Sequence, residues 1–376
     1  MGPGFLLERC AMFTTAWTAS PQLPSEGFTP NWSREGFWRQ SLRQVVRLSA
    51  GGERVRVRFS NAYGNSPVRV AAGAVAAGGV AVRLAFGGAG EGVMPARGEL
   101  VSDPVQLAVA AGESVAVTVY FDSATGPATF HAQAFATSHR GAGCLLDGEG
   151  FSESSESWYF LSAVETDSGR GDGIVLFGDS ITDGFGSTPG ADRRWSDALA
   201  SRTGRPVLNA GIGGNLLLND SAWYGERGVR RFARDVLRLA GVDTVVVLLG
   251  LNDIGFSETD VQPTYKPAPV VSSGEVIGGY RELIRRGRAC GVAVIGATLL
   301  PFGGSDHWGE RARKVSHEVN EWVRCAGEFS GVVDLNRVMA DPGDPDRLHP
   351  AYDFGDQLHP NDEGYGVMAE AVVRCL

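Results

Sequence analysis

The periodicity of the apolar residues changes once along this 376-residue chain, and no other feature constrains the fold as strongly. From about residue 40 to 165, apolar and polar residues alternate in short runs separated by Gly, Pro, Asn and Asp. Arg54-Val55-Arg56-Val57-Arg58-Phe59 alternates strictly, which puts both valines and Phe59 on one face of a strand. Ser60–Asn65 then reads as a turn, and Ser114–Phe121 as a further strand. Several such runs without a helical stretch predict an all-β sandwich or jelly roll. Arg54, Arg56 and Arg58 read as the solvated face of their strand rather than an anion site. The polar segment Gly148–Ser157 reads as a loop near a domain join.

From about Gly173 the pattern becomes short apolar runs separated by helical stretches. The runs are Ile174–Phe177, Val207–Asn209, Thr244–Leu249, Val292–Thr298 and Val332–Asp334. Between the last two, Ala312, Val315, Val319, Trp322, Val323 and Ala326 fall three or four residues apart and give a helix one apolar face. Strand and helix in alternation predict a parallel sheet in a three-layer α/β/α arrangement. The expected division is a β-sandwich over residues 1–165 and an α/β unit over residues 166–376.

Composition removes several functions. The net charge is −9, with Lys266 and Lys314 as the sole lysines, so nucleic acid is not an expected partner; such binding needs a basic surface. No run approaches the roughly 18–20 apolar residues of a membrane span. The opening MGPGFLLERCAMF has no basic leader and a broken apolar stretch, and Met12 is an equally good start; a cytoplasmic location is expected, or a secreted one if an export signal was removed. The five cysteines, Cys10, Cys144, Cys290, Cys325 and Cys375, are widely spaced with no CxxC, so neither a metal site nor a disulfide framework is called for, and no cofactor is expected.

Parallel sheets of this kind bind ligands at the carboxyl ends of their strands. After the first run comes Phe177-Gly178-Asp179-Ser180-Ile181-Thr182-Asp183-Gly184, and after the second Asn209-Ala210-Gly211-Ile212-Gly213-Gly214-Asn215. Gly250-Leu251-Asn252-Asp253 follows the third, and Asp356-Gln357-Leu358-His359-Pro360 lies near the C-terminus. In this order, the four blocks resemble those of the SGNH hydrolases, also called GDSL esterases and lipases. The resemblance runs from about residue 173 to 376. More loosely, TAWTASPQ, LRQVVRLSAGGERVRVRFSNAYGNSPV and GPATFHA look like the β-sandwich that precedes the catalytic domain in a xylan-esterase-like subgroup.

Chemistry assigns three roles. Ser180, on a Gly-flanked turn between strand and helix, is the candidate nucleophile, and His359 the base that takes its proton. Asp356, three residues before His359, can bond the other ring nitrogen and fix the tautomer. The resemblance adds an oxyanion hole made by the backbone N–H groups of Ser180 and Gly214 and the side-chain amide of Asn252; Gly211 and Gly213 are alternatives to Gly214 in the same loop. Asp346-Arg347-Leu348-His349-Pro350 repeats the C-terminal pattern, but only His359 directly precedes an apparent helix, opened by Asn361 with Val367, Met368, Ala371 and Val372 as its apolar face.

His131, His139, His307 and His317 read as ordinary structural or surface histidines, and Asp179, Asp183 and Asp253 as turn and cap residues. The loop Ile254–Val271 reads equally as a lid or specificity loop and as a surface insertion. Trp223 and Tyr224, close after the Gly214 loop, offer aromatic faces to a sugar, although Trp223 can instead pack beneath the helix beginning near Glu226. The expected activity is serine esterase chemistry; by resemblance, the substrate is an acetyl or short acyl ester of a carbohydrate or glycosylated small molecule. An acyltransferase using the same residues and a non-catalytic carbohydrate-binding protein are the rivals.

Overall fold

The computed structural model describes residues 13–376; the readings made on the first twelve residues, Cys10 and Met12 among them, lie outside the described residues. The alternating first half forms two antiparallel sheets. One has the order Glu153–Ser155, Ser138–Ala142, Gln40–Arg47, Ser114–Phe121, Ala72–Ala77, Val80–Arg83. The other runs Thr14–Thr18, Leu161–Thr166, Gly52–Ser60, Glu99–Val101, with Val105–Val109 also paired to Gly52–Ser60. Val55, Val57 and Phe59 are fully buried and share one core with Leu42, Val117 and Val119 of the facing sheet, as a strand period of two requires.

Two expectations need correction here. Gly148–Ser157 is not wholly loop: Glu153–Ser155 is an edge strand paired with Ser138–Ala142. The arginine face of Gly52–Ser60 is not simply solvated. Arg56 and Arg58 both pair with Glu165 on the neighbouring strand, whose carboxylate is buried, and Arg54 bonds Asp167 at 2.9 Å. A carboxylate taken out of water needs such partners.

Thr166 ends the last strand of the two antiparallel sheets just described, and Gly173 begins a five-stranded, all-parallel sheet. Its order is Val207–Gly211, Gly173–Gly178, Val242–Leu248, Ala293–Ala297, Gly331–Val333, which is 2-1-3-4-5 in chain order. These strands are buried on both faces, hence their near-continuous apolar sequence. Helix Trp195–Thr203 packs with Asp362–Val373, and Ser273–Ala289 with Glu310–Cys325. Ser272 and Glu275 close a capping box on the longest of these, and Asn361 caps the last helix by accepting from the Gly364 N–H. Among the described residues no helix is long and apolar enough to cross a membrane, and Cys144, Cys290, Cys325 and Cys375 are free.

The antiparallel half is fastened beside the Val207–Gly211 edge. Thr15 and Ala240 exchange two hydrogen bonds of 3.0 Å, and Thr14 Oγ1 donates to Arg170 O at 2.7 Å. Closer to the carboxyl ends of the parallel strands, His131 reaches Asp183 at 2.9 Å. The strand order reverses between Gly173–Gly178 and Val242–Leu248. A crevice must open there, and Ser180 and Asn252 stand at its two lips.

Candidate active site

Ser180 begins a one-turn helix, Ser180–Asp183, directly after its strand. Asp179 caps that turn by accepting from the Ile181 N–H at 3.1 Å, and Gly184 closes it in the left-handed conformation. Gly178 must be glycine: a Cβ there would lie 2.1 Å from Thr182 Oγ1 and 2.4 Å from Leu248 O. The turn presents the Ser180 hydroxyl 2.8 Å from His359 Nε2. His359 Nδ1 is 2.6 Å from Asp356 Oδ2, and Asp356 Oδ1 accepts from the backbone N–H groups of Leu358 and His359. Partial burial pushes the Asp356 carboxyl up, but the bond and charge of His359 outweigh it and hold it below the usual carboxylate range. With Asp356 ionised, Nδ1 carries a proton and Nε2 is free to accept one from Ser180. The Phe185 ring lies 4.4 Å from the imidazole and fixes its tilt.

The second copy of the C-terminal pattern does other work. Asp346 is occupied by Arg313 at 2.8 Å and His317 at 2.6 Å, while His349 Nδ1 accepts from the Ala351 N–H. His317, at the surface as expected, is a hydrogen-bond partner of Asp346.

Facing Ser180 is the loop that follows Val207–Gly211. Gly214 sits there at φ +70°, and a Cβ on it would be 2.4 Å from the Tyr224 ring. Among the described residues, neither the Gly214 nor the Ser180 N–H donates to a protein oxygen. The Asn252 amide gives one N–H to Asn215 O at 3.0 Å and keeps the other. Ser180, Gly214 and Asn252 line one pocket, and donors of this kind can stabilise a developing oxyanion.

The loop is braced from behind by carboxylates. Asp253 accepts from Leu217 N at 2.6 Å and Leu218 N at 2.9 Å; Asp183 accepts from Gly213 N at 3.0 Å and from His131. Burial pushes Asp253 up to about 7 against the pull of its two N–H partners, and burial together with the Asp253 charge pushes Asp179 up to about 7. Arg231, fully buried, donates to Gly178 O, Ala210 O and Asn215 Oδ1 and so ties two strand ends to the loop.

The pocket over Ser180 has a volume of about 570 Å³. Ser180, Gly214, Asn252, Asp356 and His359 all reach it, as do Trp223 and Tyr224. Tyr224 is 4% exposed, stacks on Phe28 and packs under Gly214, so it is a wall more than an open platform; Trp223 is half-buried and freer. The 254–271 loop is not a bare surface insertion. Tyr265 stacks on Phe256 at 4.1 Å, and Thr264 Oγ1 lies 2.5 Å from the Tyr224 hydroxyl.

Several residues of the site have no local sequence signal. Phe28 and Gln133 come from the antiparallel half and line the pocket; Gln133 is 9% exposed and its Oε1 has no partner. His131 is buried with Nδ1 on Ser20 O and Nε2 on Asp183. Burial works against its charge, but Asp183 outweighs that and raises its pKa. His307, read as ordinary, is 2% exposed and lines the pocket beside Asn252. Only proximity in the fold, not spacing along the chain, exposes these four.

Residues 176–367 match the family model of the GDSL-like lipases and acylhydrolases. No curated protein matches the chain. Among solved structures, a GDSL-like lipase of Bacteroides thetaiotaomicron is similar at 22% identity over 54% of this chain and 86% of its own, with a TM-score of 0.41. An acetylxylan esterase of Geobacillus stearothermophilus is similar at 22% identity over 55% of this chain and 94% of its own, with a TM-score of 0.40.

Proposed function

This chain belongs to the GDSL-like lipase/acylhydrolase family and is an ester hydrolase; from that premise we propose that it cleaves a short acyl ester through a covalent Ser180 acyl-enzyme. The observation that carries this reading is the unbroken line from Ser180 Oγ through His359 to Asp356, with gaps of 2.8 and 2.6 Å. Ser180 Oγ attacks the ester carbonyl while its proton passes to His359 Nε2. The carbonyl oxygen becomes an oxyanion facing the Ser180 and Gly214 N–H groups and the Asn252 amide. His359 returns the proton to the leaving alcohol, and water, deprotonated by the same imidazole, releases the acid. Residues 166–376 carry this chemistry, with residues 1–165 as an accessory unit that contributes Phe28 and Gln133 to the pocket wall.

The alcohol portion is best accounted for as a sugar or another ring bearing hydroxyl groups. Aromatic faces from Phe28, Trp223 and Tyr265 stand beside amide groups of Gln133 and Gln262, a mixture suited to C–H faces and hydroxyl edges together. A panel of nitrophenyl esters and acetylated sugars tests the reading on the purified chain. Acetyl esters should be turned over and Ser180→Ala should abolish turnover without lowering Tm, while a fluorophosphonate should label Ser180. Labelling at another residue, or full activity in Ser180→Ala, refutes the acyl-enzyme. Acyl transfer to an added alcohol in preference to water would replace hydrolysis by its acyltransferase rival.

A further inference from the structure

We propose that His307 is a positioning residue for catalysis: it locks the Asn252 side chain in the orientation that leaves an amide N–H facing the oxyanion. The inference deepens the reading above and rests on Asn252 as an oxyanion donor. An asparagine amide has two orientations half a turn apart, alike in shape but opposite in polarity. In the observed one, Nδ2 donates to Asn215 O at 3.0 Å and Oδ1 lies 3.2 Å from His307 Nε2. Turned over, Oδ1 would meet Asn215 O, Nδ2 would meet the His307 N–H, and the hole would lose its donor.

The lock requires a proton on His307 Nε2, and the ring's surroundings supply the reason it is there. Nε2 faces the Asn252 carbonyl oxygen, which can only accept, and Nδ1 lies 2.5 Å from Asp306 Oδ1. The hydrogen bond from His307 outweighs partial burial and holds the Asp306 carboxyl below the usual range, which keeps it an acceptor. The Phe256 and Tyr265 rings meet the imidazole edge to face at 5.3 and 5.5 Å, and Gly255 packs so tightly beneath it that a Cβ would be 2.5 Å from its Cδ2. With His307 only 2% exposed, water does not compete for Nε2.

Two Asp–His lines therefore meet at one pocket. Asp356–His359 ends on the nucleophile and moves a proton. Asp306–His307 ends on Asn252 and moves none; it holds a dipole still. A donor fixed before the reaction spends no energy reorienting as the oxyanion forms. The segment Gly303-Gly304-Ser305-Asp306-His307-Trp308 and the 254–271 loop, which supplies Tyr265, both acquire a catalytic purpose from this arrangement.

The test is a double-mutant cycle on nitrophenyl acetate with His307→Phe, Asn252→Ala and the pair, each checked by a thermal melt. His307→Phe should lower kcat roughly 10- to 100-fold and leave KM within about twofold, since ground-state binding is untouched. His307→Gln, whose amide N–H can replace Nε2–H, should recover most of that loss. In the Asn252→Ala background, His307→Phe should change kcat by less than about twofold, because a residue acting through another has nothing left to act on. Should His307→Phe fold poorly, Asp306→Asn serves instead, with a smaller loss that must also vanish when Asn252 is Ala. Multiplying losses in the double variant, or wild-type kcat in His307→Phe, overturn the proposal. Wild-type kcat in Asn252→Ala overturns the oxyanion reading beneath it as well, so the two failures are told apart.

Discussion

Gly214→Ala separates the oxyanion donor from the other glycines of its loop. At φ +70° an alanine costs about 1–2 kcal/mol in backbone strain alone. Its Cβ would also sit 2.4 Å from Tyr224 Cδ1, and that ring cannot retreat easily, being pinned by Thr264 at its hydroxyl and by Phe28 and Phe256 at its faces. Overpacking of this kind adds about 1–3 kcal/mol. The total, about 2–5 kcal/mol, corresponds to a Tm loss of roughly 5–15 °C. The loop is expected to relieve the clash by turning the Gly214 N–H away from Ser180, which should lower kcat on nitrophenyl acetate by about 10²-fold or more. Gly213→Ala is the control. Its Cβ would meet Gln133 Oε1 at 1.9 Å, the far end of a flexible side chain with no partner to lose, and its φ is unexceptional. It should melt near the wild type and keep kcat within about tenfold. If Gly213→Ala is the inactive variant, or if Gly214→Ala melts early yet retains its kcat below the transition, the donor is not Gly214.

Three further outcomes are expected. His359→Ala should lose at least roughly 10³-fold in kcat while His349→Ala changes it little, because Asp346 is committed to Arg313 and His317 and leaves His349 outside the pocket; an inactive His349→Ala would reverse the assignment. Trp223→Ala should raise KM for an acetylated sugar and spare kcat on nitrophenyl acetate, whereas equal damage to both, or a large fall in Tm, would mark the ring as core. Stability should decline as pH rises from about 4 to 7 and level off above that. Asp179 and Asp253 have folded pKa values of about 7, above their unfolded values near 4, so the folded chain binds the extra protons between those limits. That contribution is complete below pH ~4 and is lost as pH passes 7; the raised pKa of His131 acts in the same direction. Asp179→Asn keeps the cap on Ile181 and should flatten the dependence; an unchanged Tm–pH curve in that variant would place the proton uptake elsewhere.

How far the sequence discloses this site depends on the length of chain over which each contact is encoded. Ser180 is legible because its whole local geometry, an apolar strand, a glycine that tolerates no Cβ, a capping Asp179 and a left-handed Gly184, lies within the continuous segment Gly173–Gly184. Asp356 and His359 are legible for the same reason: three residues apart in a tight turn, they need no help from the rest of the fold to meet. The two candidate C-terminal histidines could be weighed because Asn361 is a strong helix cap placed just after one of them. His307 belongs to the opposite case. Its partner in the pocket is Asn252, 55 residues away, and nothing in the segment from Gly303 to Trp308 announces that the chain will return to the third strand's end. His131 and Gln133 depend on a closure between the two halves, in which the antiparallel half meets Asp183, 52 residues beyond His131, and the Gly213–Gly214 loop. The apolar alternation that revealed their half as a sandwich says which residues face its core; it does not say what the sandwich leans on. Glu165 shows the same limit in reverse: the arginines read as a solvated face because a strand's own pattern cannot reveal a buried carboxylate on the strand beside it. The two halves of the proton relay, the Ser180 turn and the Asp356–His359 turn, are thus each written locally, although they meet across 179 residues. The parts that hold the oxyanion loop and Asn252 in place are written across the fold, and His131, Gln133 and His307 are where substitutions chosen from motifs alone would overlook an effect on rate.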